Sequence, residues 1–233
     1  MKMNKGLFVI TMLATLFFTS CSEFNNIIKS GDYLYRYEAA KQYYADGKYT
    51  RAVVLLQDVI SVLKGTDKGE ESLYLLGISA YKARDYEAAA NFLKKYYETY
   101  TNGLYTQDAR FYNAMALYKN TPEPKLDQTE TYEAVTAFQN LLEIFPQSIY
   151  AKESQDMIFK LQDKLVEKEY LSAKTYFDLG SYFGNCNFGG NNYQACIITA
   201  ENAMRDYPYS KRREDFAIML LRVKYLLAVH SVQ

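Results

Sequence analysis

The sequence predicts an all-α chain built from repeated helix pairs, and the main evidence is a pattern that recurs every 37 residues. The pattern is an aromatic residue, a small residue three positions later and a second aromatic residue four positions after that. On a helix with 3.6 residues per turn, these offsets lie on one face. The copies in register are Tyr37, Ala40 and Tyr44; Tyr74, Gly77 and Tyr81; and Phe111, Ala114 and Tyr118. The pattern returns at Tyr170, Ala173 and Phe177 and, more weakly, at Tyr225, Ala228 and Val232.

Two further observations concern the segments that follow the first copies. Short turns such as Asp46-Gly47-Lys48 and Arg84-Asp85 precede segments with an alanine near their start. Segments 88–101, 134–146 and 195–208 end alike, and two of them end on proline, which cannot continue a helix. A helix–turn–helix unit of about 34 residues is typical of tetratricopeptide repeats (TPR). The sequence therefore predicts a TPR helical solenoid of about five helix pairs, the last incomplete.

The first twenty residues are predicted to be a lipoprotein signal peptide. Lys2 and Lys5 precede an apolar run from Leu7 to Phe18, which is too short to cross a bilayer as a helix. The segment 18–21, Phe-Thr-Ser-Cys, resembles a lipobox, and we expect Cys21 to carry the lipid. An ordinary secretory signal with an incidental cysteine is the alternative. Residues 21–30 are then a lipidated tether, and the repeats occupy 31–233.

Within the repeats, 31–120 form the N-terminal part and 121–233 the C-terminal part. A helix is expected from about Thr106 to Lys119, ending at a proline-containing connection at 120–124. Segment 150–166 carries an apolar stripe with the spacing of a helix. It is expected to continue into the next helix and to form a rod of about 30 residues.

The final helix is expected from about Lys211 to Val229. Phe216, Leu220, Val223 and Leu227 lie on one face of it at offsets of four, three and four. No second helix follows, so this apolar face is expected to be bare. Either the chain continues beyond its recorded end, or a partner protein covers the face.

Composition and motifs argue against nucleic-acid binding and catalysis. The 27 basic and 27 acidic residues form no basic stripe, and removal of residues 1–20 leaves a formal charge of about −2. With a single histidine, His230, there is no catalytic triad, paired-histidine metal motif or phosphate-binding loop. We therefore predict no enzyme, no cofactor and no metal site. Cys186 and Cys196 could pair in an oxidising compartment, although Cys196 has the neighbours of a small buried hydrophobe.

The chain resembles the BamD family of outer-membrane assembly lipoproteins. The resemblance rests on the loose lipobox, the repeats and two segments, 164–177 and 192–210. The abundance of tyrosine and asparagine resembles the Bacteroidetes branch. Two departures are the insertion-like segment 185–190 and the absence of the family's last helix, which puts C-terminal partner contacts in doubt.

This resemblance implies a lipid-anchored scaffold on the periplasmic face of the cell outer membrane. It would dock on the POTRA domain of a BamA-like barrel subunit, contact other assembly lipoproteins and help present unfolded outer-membrane proteins for insertion. Partner-binding residues are expected on the concave side of the first three repeats, where aromatic rings and lysines suit an extended peptide. They are Tyr37, Lys41, Tyr44, Tyr74, Ile78, Tyr81, Lys82, Phe111, Met115, Tyr118 and Lys119. The alternative for these aromatic residues is helix–helix packing.

Two other functions fit the same sequence features. One is a TPR envelope lipoprotein that coordinates peptidoglycan or Tol-type cell-wall processes. The other is a glycan-capture lipoprotein, whose tyrosines would stack on sugar rings. The glycan-capture function predicts long loop insertions around the repeats, which this chain lacks.

Overall fold

The computed structural model describes residues 23–180 and 191–230, and within these ranges every regular element is a helix. This confirms the predicted all-α class. Helices 33–45 and 49–63, and helices 69–82 and 86–99, pair across short turns, as expected for TPR repeats. Within the described residues no second helix follows the helix at 213–230. The helices are α1 (23–29), α2 (Tyr33–Ala45), α3 (Tyr49–Leu63), α4 (Gly69–Lys82), α5 (Tyr86–Thr99), α6 (Thr106–Asn120), α7 (Thr129–Ile144), α8 (Ala151–Leu179), α9 (Asn192–Asp206) and α10 (Arg213–His230).

The chain divides into two compact units, with residues up to Ala116 in unit 1 and residues from Leu117 onward in unit 2. Unit 1 contains the first two helix pairs and most of α6. In this unit α2 packs against α3, α3 against α4, and α4 against α5. Its core is formed by apolar residues of α1 to α4, with the rings of Tyr37 and Tyr43 among them.

The small residue of the repeated pattern lies where neighbouring helices approach most closely. Ala40 and Ala114 are fully buried, and Gly77, the small residue of the second copy, is also buried. A Cβ atom added at Gly77 would lie 2.7 Å from Cγ of Leu93, so α4 and α5 meet at a point with no room for a side chain. The pattern found in the sequence therefore marks the seam between paired helices.

The turns between paired helices repeat with the same 37-residue step. Gly47 and Arg84 occupy equivalent positions, and both have a left-handed backbone, with φ of 74° and 65°. Glycine adopts this conformation readily, whereas arginine is strained there. Asp85 then caps α5 by accepting a hydrogen bond from the backbone N–H of Ala88.

Segment 23–29, expected to be part of a tether, is helical and packed against unit 1. Ile27 is only 5% exposed, and the Phe24 ring meets the Tyr43 ring edge-on at 5.5 Å. The guanidinium of Arg36 donates a hydrogen bond to the backbone carbonyl of Ile28. These contacts make α1 part of the folded unit.

Unit 2 contains the long helix that the sequence predicts. Helix α8 has 29 residues and packs against α7, α9 and α10. Its stripe of Ile158, Leu161 and Leu165 is buried, and Val166 and Ala173 join the core formed with α9 and α10. Other helices of unit 2 therefore pack along most of α8, and this packing accounts for its length.

The expectation of a bare apolar face on the last helix is wrong. Phe216, Leu220 and Val223 are buried, and Leu227 packs against the same core, because α9 and α8 cover this face. A different stripe of α10 is exposed, with offsets of three, four and four. It consists of Ile218, Leu221, Tyr225 and Val229.

Two cysteines, Cys186 and Cys196, lie within the predicted repeats, and the structure describes only Cys196. Cys196 is buried in the core of unit 2, and this burial raises the pKa of its thiol. It therefore has the environment predicted for a small hydrophobe. Cys186 lies outside the described residues, as do Cys21 and the signal peptide, so the predictions for them stay predictions.

Candidate partner-binding surfaces

Two glutamates at the start of α4 organise the tyrosines of unit 1. Glu70 accepts hydrogen bonds of 2.6 Å from the hydroxyl of Tyr96 and from the backbone N–H of Leu104. Glu71 accepts a hydrogen bond from the Tyr37 hydroxyl at 2.5 Å and pairs with Lys41 at 2.9 Å. Because α4 holds both carboxylates at its first turn, they connect it to α2 on one side and to the 103–105 loop on the other.

These hydrogen bonds change the protonation behaviour of the groups involved. Burial, together with the hydrogen bond to Glu71, raises the pKa of Tyr37 well above its usual value. Although burial acts to raise the pKa of Glu71, hydrogen bonds from Tyr37 and Lys41 hold it below its usual value. Glu71 is therefore ionised at neutral pH, and the ammonium of Lys41 forms an ion pair with it.

The predicted partner-binding residues fall into three groups by exposure. Tyr37, Ile78, Phe111 and Met115 are buried, and their side chains pack between helices. Lys41, Tyr44, Tyr74, Tyr81 and Tyr118 are partly exposed. Lys82 and Lys119 are exposed. The proposed contact surface is therefore narrowed to the second and third groups.

The two aromatic positions of the repeat differ in how they pack. The first aromatic residue, as in Tyr37 and Phe111, points into the packing between helices. The second, as in Tyr44 and Tyr81, meets an aromatic residue five positions later, Tyr49 or Tyr86, edge-on at 5.6 Å. These second aromatic rings keep part of their surface at the outside of unit 1.

Two further tyrosines complete this surface and escape the 37-residue pattern. The ring of Tyr105 stacks on that of Tyr74, with centroids 4.3 Å apart, and Tyr112 meets Tyr81 edge-on at 5.1 Å. Neither position recurs as an aromatic residue in the other repeats, so periodicity carries no signal for them. Unit 1 thus presents a surface of packed, half-exposed tyrosines, which offers apolar area with polar tips.

Tyr118 and Lys119 lie in unit 2 and are described with it. Tyr118 is partly exposed, and the ammonium of Lys119 lies over its ring at 5.6 Å from the centroid. Both residues are in the last turn of α6.

A clamp around Arg212 fixes the start of α10 on α8. Two nitrogens of its guanidinium donate to the carboxylate of Glu167, at 2.8 and 2.9 Å, and a third donates to Asp215 at 2.9 Å. The same guanidinium lies over the ring of Tyr170, 4.2 Å from its centroid. Hydrogen bonds to Asp215 and Glu167 raise the pKa of Arg212, and the clamp holds the helix that carries the exposed stripe.

Besides the exposed stripe on α10, unit 2 has an open cavity. Leu221 is 72% exposed and Tyr225 68% exposed, values that are high for large apolar side chains. A cavity of about 490 Å³ lies between α8 and the α9–α10 connection, lined by Phe159, Val166 and Tyr209 among others. Sequence reasoning missed this stripe because both faces of α10 are apolar.

Within residues 23–180 and 191–230, no helix is long and apolar enough to cross a membrane. In the same ranges no group of three or more His, Cys, Asp or Glu side chains could hold a metal ion.

The fold is that of an all-α TPR-type protein. The sequence matches the family model described as YfiO, outer membrane lipoprotein, over residues 32–188, which is more than half of the chain. The chain therefore belongs to this family of BamD-like outer membrane lipoproteins, and the predicted resemblance is confirmed. The match begins at Asp32, whose carboxylate caps α2.

Two individual proteins are similar to this chain. A candidate outer membrane protein assembly factor BamD of Aquifex aeolicus (strain VF5) is 26% identical over 171 residues. The matched region is 72% of this chain and 56% of that relative, so the chain spans little more than half of the relative's length. A thermophilic TPR protein of Thermus thermophilus, known as a crystal structure, is 17% identical with a TM-score of 0.39. The comparison covers 82% of this chain and all of the other chain.

Proposed function

We propose that the protein is an outer-membrane scaffold lipoprotein of the β-barrel assembly machinery. It docks on the periplasmic domain of a BamA-like barrel subunit and helps insert barrel proteins into the outer membrane. The observation that carries the proposal is the family match over 32–188, which spans most of the described helices. The proposed role is one of binding, without catalysis.

The anchor in this proposal is lipid attached to Cys21, which holds the protein on the periplasmic face of the outer membrane. The apolar run directly before Cys21 and the family's description as lipoproteins support it. A diacylated, N-acylated cysteine binds stably to a membrane, whereas a single acyl chain binds marginally. Mass spectrometry of the mature N-terminus tests this, with Cys21→Ala as the variant that should leave the outer-membrane fraction in high salt.

We assign the barrel subunit to unit 2, because the exposed stripe on α10 offers the apolar area that protein interfaces bury. Leu221→Glu should reduce co-purification of a large POTRA-containing barrel protein from native membranes. The melting curve should not change, because the side chain is mostly exposed. Leu126→Glu is the matched control, since Leu126 is an exposed leucine of the same unit at 59%.

We assign unfolded barrel precursors to the tyrosine surface of unit 1. Half-exposed rings at Tyr44 and Tyr81, with the exposed Lys82 next to Tyr81 in the chain, suit an extended segment with aromatic and acidic groups. Photo-crosslinkers at Tyr44 and Tyr81 should trap unfolded barrel proteins, and crosslinkers at Leu221 and Tyr225 should trap folded machinery components. If every position traps only peptidoglycan or cell-division proteins, the assembly function is wrong and the cell-wall function replaces it.

A further inference from the structure

A cavity opens on the surface of unit 1 where the end of α3, the start of α4 and the end of α5 meet. Its volume is about 290 Å³, close to the lower limit for ligand pockets, so it suits a small molecule. Two apolar side chains line it, Leu73, which is only 6% exposed, and the half-buried Ile60. The cavity therefore offers contact to a short apolar group.

Two lysines give this cavity a positive charge. Lys64 follows the last residue of α3, Lys95 lies in α5, and both are exposed. Neither forms an ion pair within residues 23–180 and 191–230. Among the described residues, no acidic side chain lines the cavity, whereas two aspartates line each of two cavities beside α8 in unit 2. The charge is therefore not balanced inside the cavity.

The carboxylates nearest in the chain bind other groups or lie outside the cavity. Glu70 and Glu71 accept the hydrogen bonds described above, and Glu98 pairs with Lys94 at 4.0 Å. Asp67, in the connection before α4, is exposed and does not line the cavity. The two lysines of the cavity therefore remain available to a bound anion.

The first repeat has a different pair of residues at the equivalent positions. Leu73 and Lys95 lie 37 residues after Arg36 and Asp58, which form an ion pair at 3.4 Å between α2 and α3. In the second repeat a leucine replaces the arginine and a lysine replaces the aspartate. An internal ion pair is thereby exchanged for an apolar side chain and an unpaired cation that line one cavity.

Two hydroxyl groups supply further hydrogen-bond donors. The side chains of Ser61 and Tyr100 line the cavity, and a Cβ atom added at Gly69 would lie 3.1 Å from the Tyr100 hydroxyl oxygen. Neither hydroxyl has a hydrogen-bond partner in the part of the chain that the structure describes. Hydroxyl and ammonium groups both donate to anionic oxygens, and such charge-assisted hydrogen bonds are strong.

We propose that this cavity is a binding site for a small anion that carries a short apolar group. The ammonium groups of Lys64 and Lys95 bind its carboxylate or phosphate, and Ile60 and Leu73 contact its apolar part. Fatty acids and monoacyl lipid phosphates have this chemistry. The inference does not depend on the proposed assembly function, because it uses only contacts within unit 1.

Methyl NMR on the full-length chain tests the site, with Cys21→Ala so that the protein carries no lipid of its own. Octanoate, kept below the concentration at which it forms micelles, should shift the methyl signals of Ile60 and Leu73 in a saturable way. The signals of Leu126 and Ile198, exposed apolar residues of unit 2, should not move. Octanol lacks the charge and acetate lacks the apolar chain, so each should bind at least about tenfold more weakly. Octyl phosphate, titrated in parallel, shows which acidic group fits better.

Charge removal shows whether the two lysines hold the anion. Lys64→Gln with Lys95→Gln should weaken octanoate binding by about tenfold or more, because both charged donors are lost. Lys82→Gln with Lys94→Gln removes the same charge from unit 1 outside the cavity and should leave the affinity unchanged.

Four results would overturn the inference. Octanol may bind as tightly as octanoate, octanoate may shift the unit 2 signals equally, or the control pair may weaken binding as much as the cavity pair. The fourth is a lower melting temperature for the cavity pair with unchanged octanoate affinity. That result would show that these lysines only stabilise the C-terminal ends of α3 and α5.

Discussion

The seam at Gly77 gives the sharpest test of how the repeats pack. A Cβ at this position would lie 2.7 Å from both Cγ and Cδ2 of Leu93 and 3.3 Å from its backbone nitrogen. Leu93 is fully buried, so its side chain has no free space to move into. Gly77→Leu forces α4 away from α5, and overpacking of this kind costs about 1–3 kcal/mol.

Gly77→Ala sets two effects against each other. Alanine is favoured over glycine in a helix by about 1 kcal/mol. The contact at 2.7 Å is far inside normal van der Waals separation, so overpacking of about 1–3 kcal/mol outweighs that gain. We expect a net loss of about 1 kcal/mol for alanine and about 3 kcal/mol for leucine. At roughly 2–4 °C per kcal/mol, the leucine variant should melt about 6–12 °C lower.

Thermal unfolding followed by circular dichroism measures these shifts, and Leu93→Ala supplies the partner for a double-mutant cycle. Leu93→Ala alone should cost about 2–5 kcal/mol because it leaves a cavity. Combined with Gly77→Leu, the cavity takes up part of the new side chain, so the double variant should be more stable than the sum predicts by about 0.5–3 kcal/mol. Gly31→Ala is the control, since nothing lies within 4 Å of the added Cβ. Strict additivity, or a Gly77→Leu protein that melts like the control, would refute the packing.

Three further predictions concern the other contacts described above. Since the folded-state pKa of Glu71 is lowered, its contribution to stability is present above its ordinary pKa of 4.5 and is lost as the pH falls through the lower folded value. Glu71→Gln should therefore flatten the pH dependence of the melting temperature below about pH 5. Arg84→Gly should raise stability by about 1 kcal/mol, because it relieves the left-handed strain that Gly47 avoids in the preceding repeat; an unchanged denaturant midpoint would argue against strain. Arg212→Ala should cost about 1–2 kcal/mol and Arg212→Lys nearly as much, because lysine cannot replace the two-pronged bond to Glu167; full rescue by lysine would show that charge alone matters.

The parts of the fold that the sequence predicted share a physical cause. Close helix approach tolerates only small side chains, so Ala40, Gly77 and Ala114 had to recur, and their spacing indicated the seam directly. Helix α8 was predicted at nearly its full length because a long amphipathic segment without a breaker continues as one helix. Such features depend on residues near each other in the chain.

The candidate surfaces depend instead on which neighbour covers each face, and periodicity does not contain that information. The Phe216 face of α10 and the Leu221 face are both apolar, and only the position of α9 and α8 decides that the first is buried and the second exposed. In the repeats, Tyr37 and Tyr44 are the same residue type on one helix face. One is covered by the neighbouring helices and bound to Glu71, while the other keeps an exposed edge.

The two aromatic positions therefore separate the tasks of the repeat. The first position contributes to the core, so its substitution should reduce stability and binding together. The second position packs edge-on against Tyr49 or Tyr86 and stays partly exposed, so its outer surface can change with smaller effects on folding. If the tyrosine surface binds extended precursors, Tyr81→Ala should reduce crosslinking to them from position 44, and Tyr44→Ala crosslinking from position 81. Each loss should be far larger than the fall in melting temperature accounts for.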